Sequence, residues 1–154
     1  MTPAERSRGT VGRILPAYEL RLEGADADGV GEVLVRGKGM FDAYFSPWQL
    51  RKDALDNGWF RTGDLGRLGA DGHLEIVGRE KNVIICAGMK VFPLEVEQTL
   101  NSHPAVLESL VYGVDHPVYG QTPEAKVVVL SSVRDKAAFH ENLRRHCYAE
   151  LSPY

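Results

Sequence analysis

Three clusters in this sequence combine residue types that could do chemistry. The first is Trp59-Phe60-Arg61-Thr62-Gly63-Asp64. An aromatic pair leads into Thr-Gly-Asp, and the glycine lets another group approach the chain closely. A carboxylate fixed there could accept hydrogen bonds from two neighbouring hydroxyls, such as a ribose 2′,3′-diol. Taken alone, Thr-Gly-Asp reads better as a turn that Asp64 caps. The second cluster is Ile76-Val77-Gly78-Arg79-Glu80-Lys81. Arg79 offers a fixed fork of donors to a sugar or phosphate. Lys81 sits where the chain could pivot between two modules. Taken alone, Arg-Glu-Lys is a solvated charged turn. The third cluster runs from Ala87 to Glu97. A small-residue turn at Gly88 could let a narrow ligand lie against bare backbone. Its plainer reading is a hairpin followed by a helix start.

The elements that must position these clusters differ between the two halves. After Gly88 the only glycines are Gly113 and Gly120, so the first half is turn-rich. Glu19–Glu23 alternates apolar and charged residues, and Val33-Leu34-Val35 is an apolar run between charges. Both predict strands, the first half-buried and the second more fully buried. His73–Val77 predicts a third strand after the turn pair Asp71-Gly72. Ser46 as N-cap and Pro47 at the first position predict one helix through Trp48, Leu50 and Leu55, ending near Asn57-Gly58. Beyond Arg79, Asn82–Ile85 and Lys90–Phe92 predict a hairpin around Gly88. Pro93 opens a helix through Val96 and Leu100 that ends before Pro104. Val106–Val114 and Ala125–Leu130 predict strands. Asp135 to about Glu150 predicts an amphipathic helix with Phe139, Leu143 and Cys147 on one face. The expected class is α+β. A small β-rich, barrel-like subdomain spans residues 1–79, and a small α+β lid domain spans residues 80–154.

Composition narrows the function. The chain has 154 residues, 44% hydrophobic and 25% charged, enough apolar matter for a core. Its net charge is −3, from 18 Lys and Arg against 21 Asp and Glu. That is not the basic footprint of a nucleic-acid binder. No apolar stretch approaches the ~20 residues needed to span a bilayer. The polar stretch Met1–Val11 carries no apolar signal core. Cys86 and Cys147 lie far apart and are expected to be free, mostly buried thiols in a reducing cytoplasm. The five histidines show no metal-ligand spacing and are expected at the surface or in turns.

In this order, the three clusters acquire a meaning that none has singly. From Val11 to Tyr154 the chain resembles the adenylate-forming acyl-CoA synthetases, with their relatives the luciferases and the peptide-synthetase adenylation domains. Gly31–Gly37 looks like the family's GE-(I/L)-x-V-x-G strand. Gly58–Asp64 matches GW(F/Y)xTGD, Asp71–Arg79 matches DGxLxIxGR, and Gly88–Glu97 matches Gx(N/K)(V/I)xPxE(I/V)E. His103–Val106 and Gly113–Pro117 also fit. Several spaced motifs over most of the chain carry the resemblance.

The resemblance implies a two-step ligase reaction using ATP, Mg2+ and CoA. A carboxylic acid and ATP give an acyl-adenylate and pyrophosphate, and a thiol then releases AMP and forms a thioester. It also implies roles for residues. Asp64 binds the ribose hydroxyls, Arg79 assists at the ribose, and Ile76 lies against the nucleoside. Lys81 occupies the hinge of a mobile C-terminal lid. Gly88 lines the pantetheine channel. One site must exclude water around a reactive anhydride and later admit a long thiol, and a lid on a hinge achieves both. The third motif leans toward fatty and aromatic acid–CoA ligases rather than peptide synthetases.

Some of the family pattern is not found in this sequence. The phosphate-binding loop, rich in Ser, Thr and Gly, would lie upstream of these motifs, as would the acid pocket. The family's C-terminal lysine would follow the segment that here is Leu151-Ser152-Pro153-Tyr154. The chain alone is therefore expected to have no adenylation activity and no catalytic residue, and to need a main domain or a partner subunit. Ile85 and Asn82 stand where relatives often have Lys and Asp, and Gln121 where Glu is common. Two other readings remain: a stand-alone binding module docking to a partner subunit, and a fragment of a peptide-synthetase-like adenylation domain.

Overall fold

The computed structural model describes residues 10–151. The chain divides into two compact units between Lys81 and Asn82.

The first unit is built on an antiparallel sheet. Its strands are β1 (Thr10–Arg13), β2 (Tyr18–Glu23), β3 (Gly31–Gly37), β6 (Phe60–Leu68) and β7 (His73–Arg79), in the order β1-β7-β6-β3-β2. β1 and β2 are its two edges. β2 alternates in exposure as its sequence alternates, whereas the apolar run of β3 lies inside the sheet and is buried from Gly31 to Leu34. Leu34 is fully buried, and Val30, Val33 and Leu74 are also buried in this unit. Short polar residues close the turns. Asp26 accepts from Val30 N–H at 3.0 Å, and Asp71 accepts from His73 N–H at 3.1 Å ahead of β7.

Two expectations about this unit need correction. The helix expected from Ser46 does not form there. Pro47 lies after a cis peptide bond, between β4 (Ala43–Tyr44) and β5 (Gln49–Leu50), which pair with each other. Helix is confined to one turn, α1 (Arg51–Ala54). Tertiary contacts override the local signal. Phe41 packs on Tyr44 and Phe60 with ring centroids 4.6 and 5.4 Å away. Arg51 donates to the carbonyls of Met40 and Phe41 and folds the segment back. Trp48, expected on that helix, is 70% exposed. Second, Thr62-Gly63-Asp64 is not a capped turn. It lies within the nine-residue strand β6.

The second unit places two helices with another antiparallel sheet. Its strands are β8 (Ile84–Cys86), β9 (Met89–Val91), β10 (Val106–His116) and β11 (Gly120–Val129), in the order β10-β11-β8-β9. β11 starts before the expected Ala125, because its ladder with β10 runs through Gly113↔Pro123 to His116↔Gly120. Pro93 occupies the first turn of α2 (Pro93–Ser102). Asp135 caps α3 (Lys136–Glu150), accepting from Ala137 and Ala138 N–H at 3.0 Å each. Ile84, Leu100, Val106, Val111 and Leu143 form the core, with Phe139 and Cys147 packed against it.

Both cysteines are free, but each is only half-buried rather than mostly buried. Two histidines are not surface decoration. His146 Nε2 lies 2.8 Å from Ser102 Oγ and 3.1 Å from the Thr99 carbonyl, and His103 Nε2 lies 2.7 Å from Asn142 Oδ1. Together they tie α3 to α2. Among the described residues no helix is long and apolar enough to cross a membrane.

Candidate functional site

The site in the first unit follows from an irregularity in the β3–β6 ladder. Leu34 pairs with Arg61 and Glu32 pairs with Leu65. Val33 alone on β3 therefore faces Thr62, Gly63 and Asp64 on β6. Two extra residues bulge out of the ladder, and Gly63 crowns the bulge with φ +69°.

Side chains fasten this bulge at several points. Thr62 Oγ1 donates to the Val33 carbonyl at 2.7 Å and accepts from Asp64 N–H at 3.0 Å. Gly63 N–H donates to Glu32 Oε1 at 3.3 Å. Arg79 stands across the β6–β7 ladder from Asp64. Its Nε lies 2.7 Å from Asp64 Oδ1, and another guanidinium nitrogen donates to the Thr62 carbonyl at 3.3 Å. The Asp64 side chain is 29% exposed. It is a fixed, partly open acceptor, suited to a pair of hydroxyls. Ile76 is half-buried on β7 opposite Gly66. The structure thus brings Asp64, Arg79 and Ile76 onto two adjacent strands. Exposed Lys81 lies in a 3-10 turn over Glu80–Asn82, at the junction of the units.

A layer of charge beside the bulge was not singled out in the sequence. Glu32 is 5% exposed, and the β2–β3 register places it directly opposite Glu23. Like charges in that relation disfavour the pairing. Arg61 resolves the conflict by pairing with both carboxylates. Its guanidinium is held above its usual pKa, first by the hydrogen bond to Glu23. Trp59, just before β6, lies between the guanidinium groups of Arg21 and Arg36 at 4.8 and 4.5 Å. The signal in the sequence was an acid at the head of an otherwise buried strand.

In the second unit Gly88 turns the chain between β8 and β9, with φ +83°, after Ala87 at φ +50°. Nothing lies within 4 Å of where a Gly88 side chain would start. Ala87 N–H donates to the Tyr119 carbonyl at 2.9 Å, and Ile85 N–H donates to Gln121 Oε1 at 3.2 Å. Gln121 therefore has a physical role in anchoring the turn. Ile85 is 45% exposed, an apolar side chain open to solvent beside the turn. Among the described residues no three His, Cys, Asp or Glu gather to hold a metal ion.

Comparison with known proteins places the chain among similar sequences and folds. Residues 95–154 match the family of the AMP-binding enzyme C-terminal domain. The whole chain is 38% identical to sulfoacetate–CoA ligase from Cupriavidus necator over 161 aligned residues, covering 31% of that protein. The fold matches o-succinylbenzoate CoA synthetase from Bacillus subtilis bound to its acyl-adenylate, with a TM-score of 0.80 and 31% identity. That match covers 95% of this chain and 30% of the synthetase. An anthranilate CoA ligase holding anthranoyl-AMP matches with a TM-score of 0.85 and 28% identity, over 99% of this chain and 30% of that one. The chain matches the C-terminal portion of adenylate-forming enzymes. It spans about 30% of the length of the curated relatives it matches, which are CoA ligases.

Proposed function

We propose that this chain serves as the ribose-binding strands and the lid of an ATP-dependent carboxylate–CoA ligase of the cytoplasm. In that reaction the acid's carboxylate takes the adenylyl group of ATP and releases pyrophosphate. The CoA thiol then displaces AMP and forms the thioester. The observation that carries the reading is Asp64, on β6 at the bulge that β6 makes against β3, held by Arg79 at 2.7 Å. One carboxylate can accept from both hydroxyls of a ribose, and the guanidinium adds positive charge beside the nucleotide.

The remaining roles are proposed from position. Ile76 offers apolar surface to the nucleoside. Lys81, at the unit junction, is the hinge about which the second unit reorients between half-reactions. Gly88, with open space where a side chain would begin, lets the pantetheine arm pass along bare backbone. The phosphate-binding loop, the acid pocket and the charge-neutralising lysine come from polypeptide outside these residues, on the same chain or on a partner subunit. Mg2+ accompanies the ATP phosphates when bound. A bound form of o-succinylbenzoate CoA synthetase with ATP and magnesium supports that assignment. No set of described residues here fits the ion, so no step is assigned to it.

The test is ATP–pyrophosphate exchange. The purified 154-residue chain should give none. In the ligase that contains it, Asp64→Ala should raise KM for ATP about 10- to 100-fold, the loss of charged hydrogen bonds. Exchange by the short chain, or an unchanged KM, would overturn the respective claim.

A further inference from the structure

We propose that Glu32 is a positioning residue for Asp64, acting through the Gly63 peptide. The inference deepens the ribose-binding reading and rests on it for its functional consequence. Burying a carboxylate is costly unless it is paired and hydrogen-bonded, and the register sets Glu32 against a second carboxylate, Glu23. An apolar residue at this place would avoid both costs. What it would lose is the acceptor for Gly63 N–H at 3.3 Å. Gly63 is the crown of the bulge, and the peptide that follows it carries Asp64. The N–H of that next peptide, Asp64 N–H, donates to Thr62 Oγ1. Glu32 and Thr62 thus hold two successive N–H groups at the crown. Arg61, whose side chain is 45% exposed, balances the buried charge from outside. The direction of the Asp64 carboxylate is therefore set by an acid that never meets the ligand.

The test reads amide exchange on the 154-residue chain, 15N-labelled, and KM for ATP on the ligase that contains it. Glu32→Met keeps the length of the side chain and removes both the charge and the acceptor for Gly63 N–H. It should speed amide exchange at Gly63 and Asp64, and at the Arg79 Nε–H, by about tenfold. Amides of Leu34 and Leu74 should be unchanged, which shows the sheet intact. In the ligase, KM for ATP should rise about tenfold. Arg61→Met weakens the same link from the solvent side and decides the matter if Glu32→Met disrupts the sheet. Unchanged exchange at Gly63, Asp64 and Arg79 in the folded variant overturns the proposal. An unchanged KM for ATP in that variant, with KM raised by Asp64→Ala, also overturns it and leaves the ribose reading standing. Altered exchange in the variant, with KM for ATP unchanged by Asp64→Ala, upholds the positioning and defeats the ribose reading.

Discussion

Arg79 and Asp64 face each other across the β6–β7 ladder, and Arg79 Nε closes on Asp64 Oδ1 at 2.7 Å. The side chains are 55% and 29% exposed, so the pair is partly screened and contributes little to folding, under about 1 kcal/mol. Arg79→Ala should therefore leave chemical denaturation nearly unchanged. In the ligase it should raise KM for ATP. A variant that loses stability and affinity in proportion would make the arginine a structural strut instead.

The junction offers a different separation. Lys81→Pro removes one backbone donor and fixes φ in the 3-10 turn at Glu80–Asn82. Adenylation should survive better than thioester formation, because only the second step needs the reoriented lid. Measuring pyrophosphate exchange and thioester yield side by side checks this, and equal losses would remove the hinge role.

Each unit buries apolar side chains of its own. Leu34 is fully buried in the first. Leu34→Ala should cost about 2–5 kcal/mol there. Hydrogen exchange should show the loss in β3 and β6, with Ile84 and Leu100 amides keeping their protection. Equal loss in both units would show a single cooperative structure.

The turn at Gly88 has room but the wrong backbone for a side chain. With φ +83°, Gly88→Ala should cost roughly 1–2 kcal/mol although no atom blocks the new methyl group. In the ligase it should reduce thioester formation more than pyrophosphate exchange. An equal effect on both would remove Gly88 from the thiol path.

Burial raises the pKa of the Cys147 thiol. The folded chain thus disfavours the thiolate, so the associated stability is present below the unfolded thiol pKa and is lost as pH rises through the folded value. Iodoacetamide at neutral pH should label Cys147 more slowly than an unfolded peptide containing it. Labelling at the peptide's rate would mean the α3 face opens freely.

Much of this architecture was legible because its signals are local. The alternation of β2, the apolar run of β3, the proline opening α2 and the aspartate capping α3 each specify their own conformation. The Ser46-Pro47 start signal was equally local and misled, because Arg51 and the Phe41–Tyr44–Phe60 cluster fold that segment back. Asp64 and Arg79 were legible as motif members. Their fastening was not, since the grip on Gly63 comes from Glu32 on a strand 31 residues away in sequence. Gln121 looked arbitrary for the same reason, as its partner is Ile85 on another strand.

The bulge in β6 has a consequence for how this segment can change in length. A strand shows alternate residues to alternate faces, so one residue gained or lost inverts everything beyond it. Thr62-Gly63-Asp64 opposes a single residue, Val33, and the excess is two. The strand's reading frame is therefore conserved across the bulge. Arg61 and Leu65 stay on one face, and Gly66 stays in the narrow space under the Val33 side chain, where a methyl group would approach to 2.8 Å. Deleting one of the three residues would shift that frame and drive Leu65 to the opposite face. Insertions or deletions here should be tolerated only in pairs.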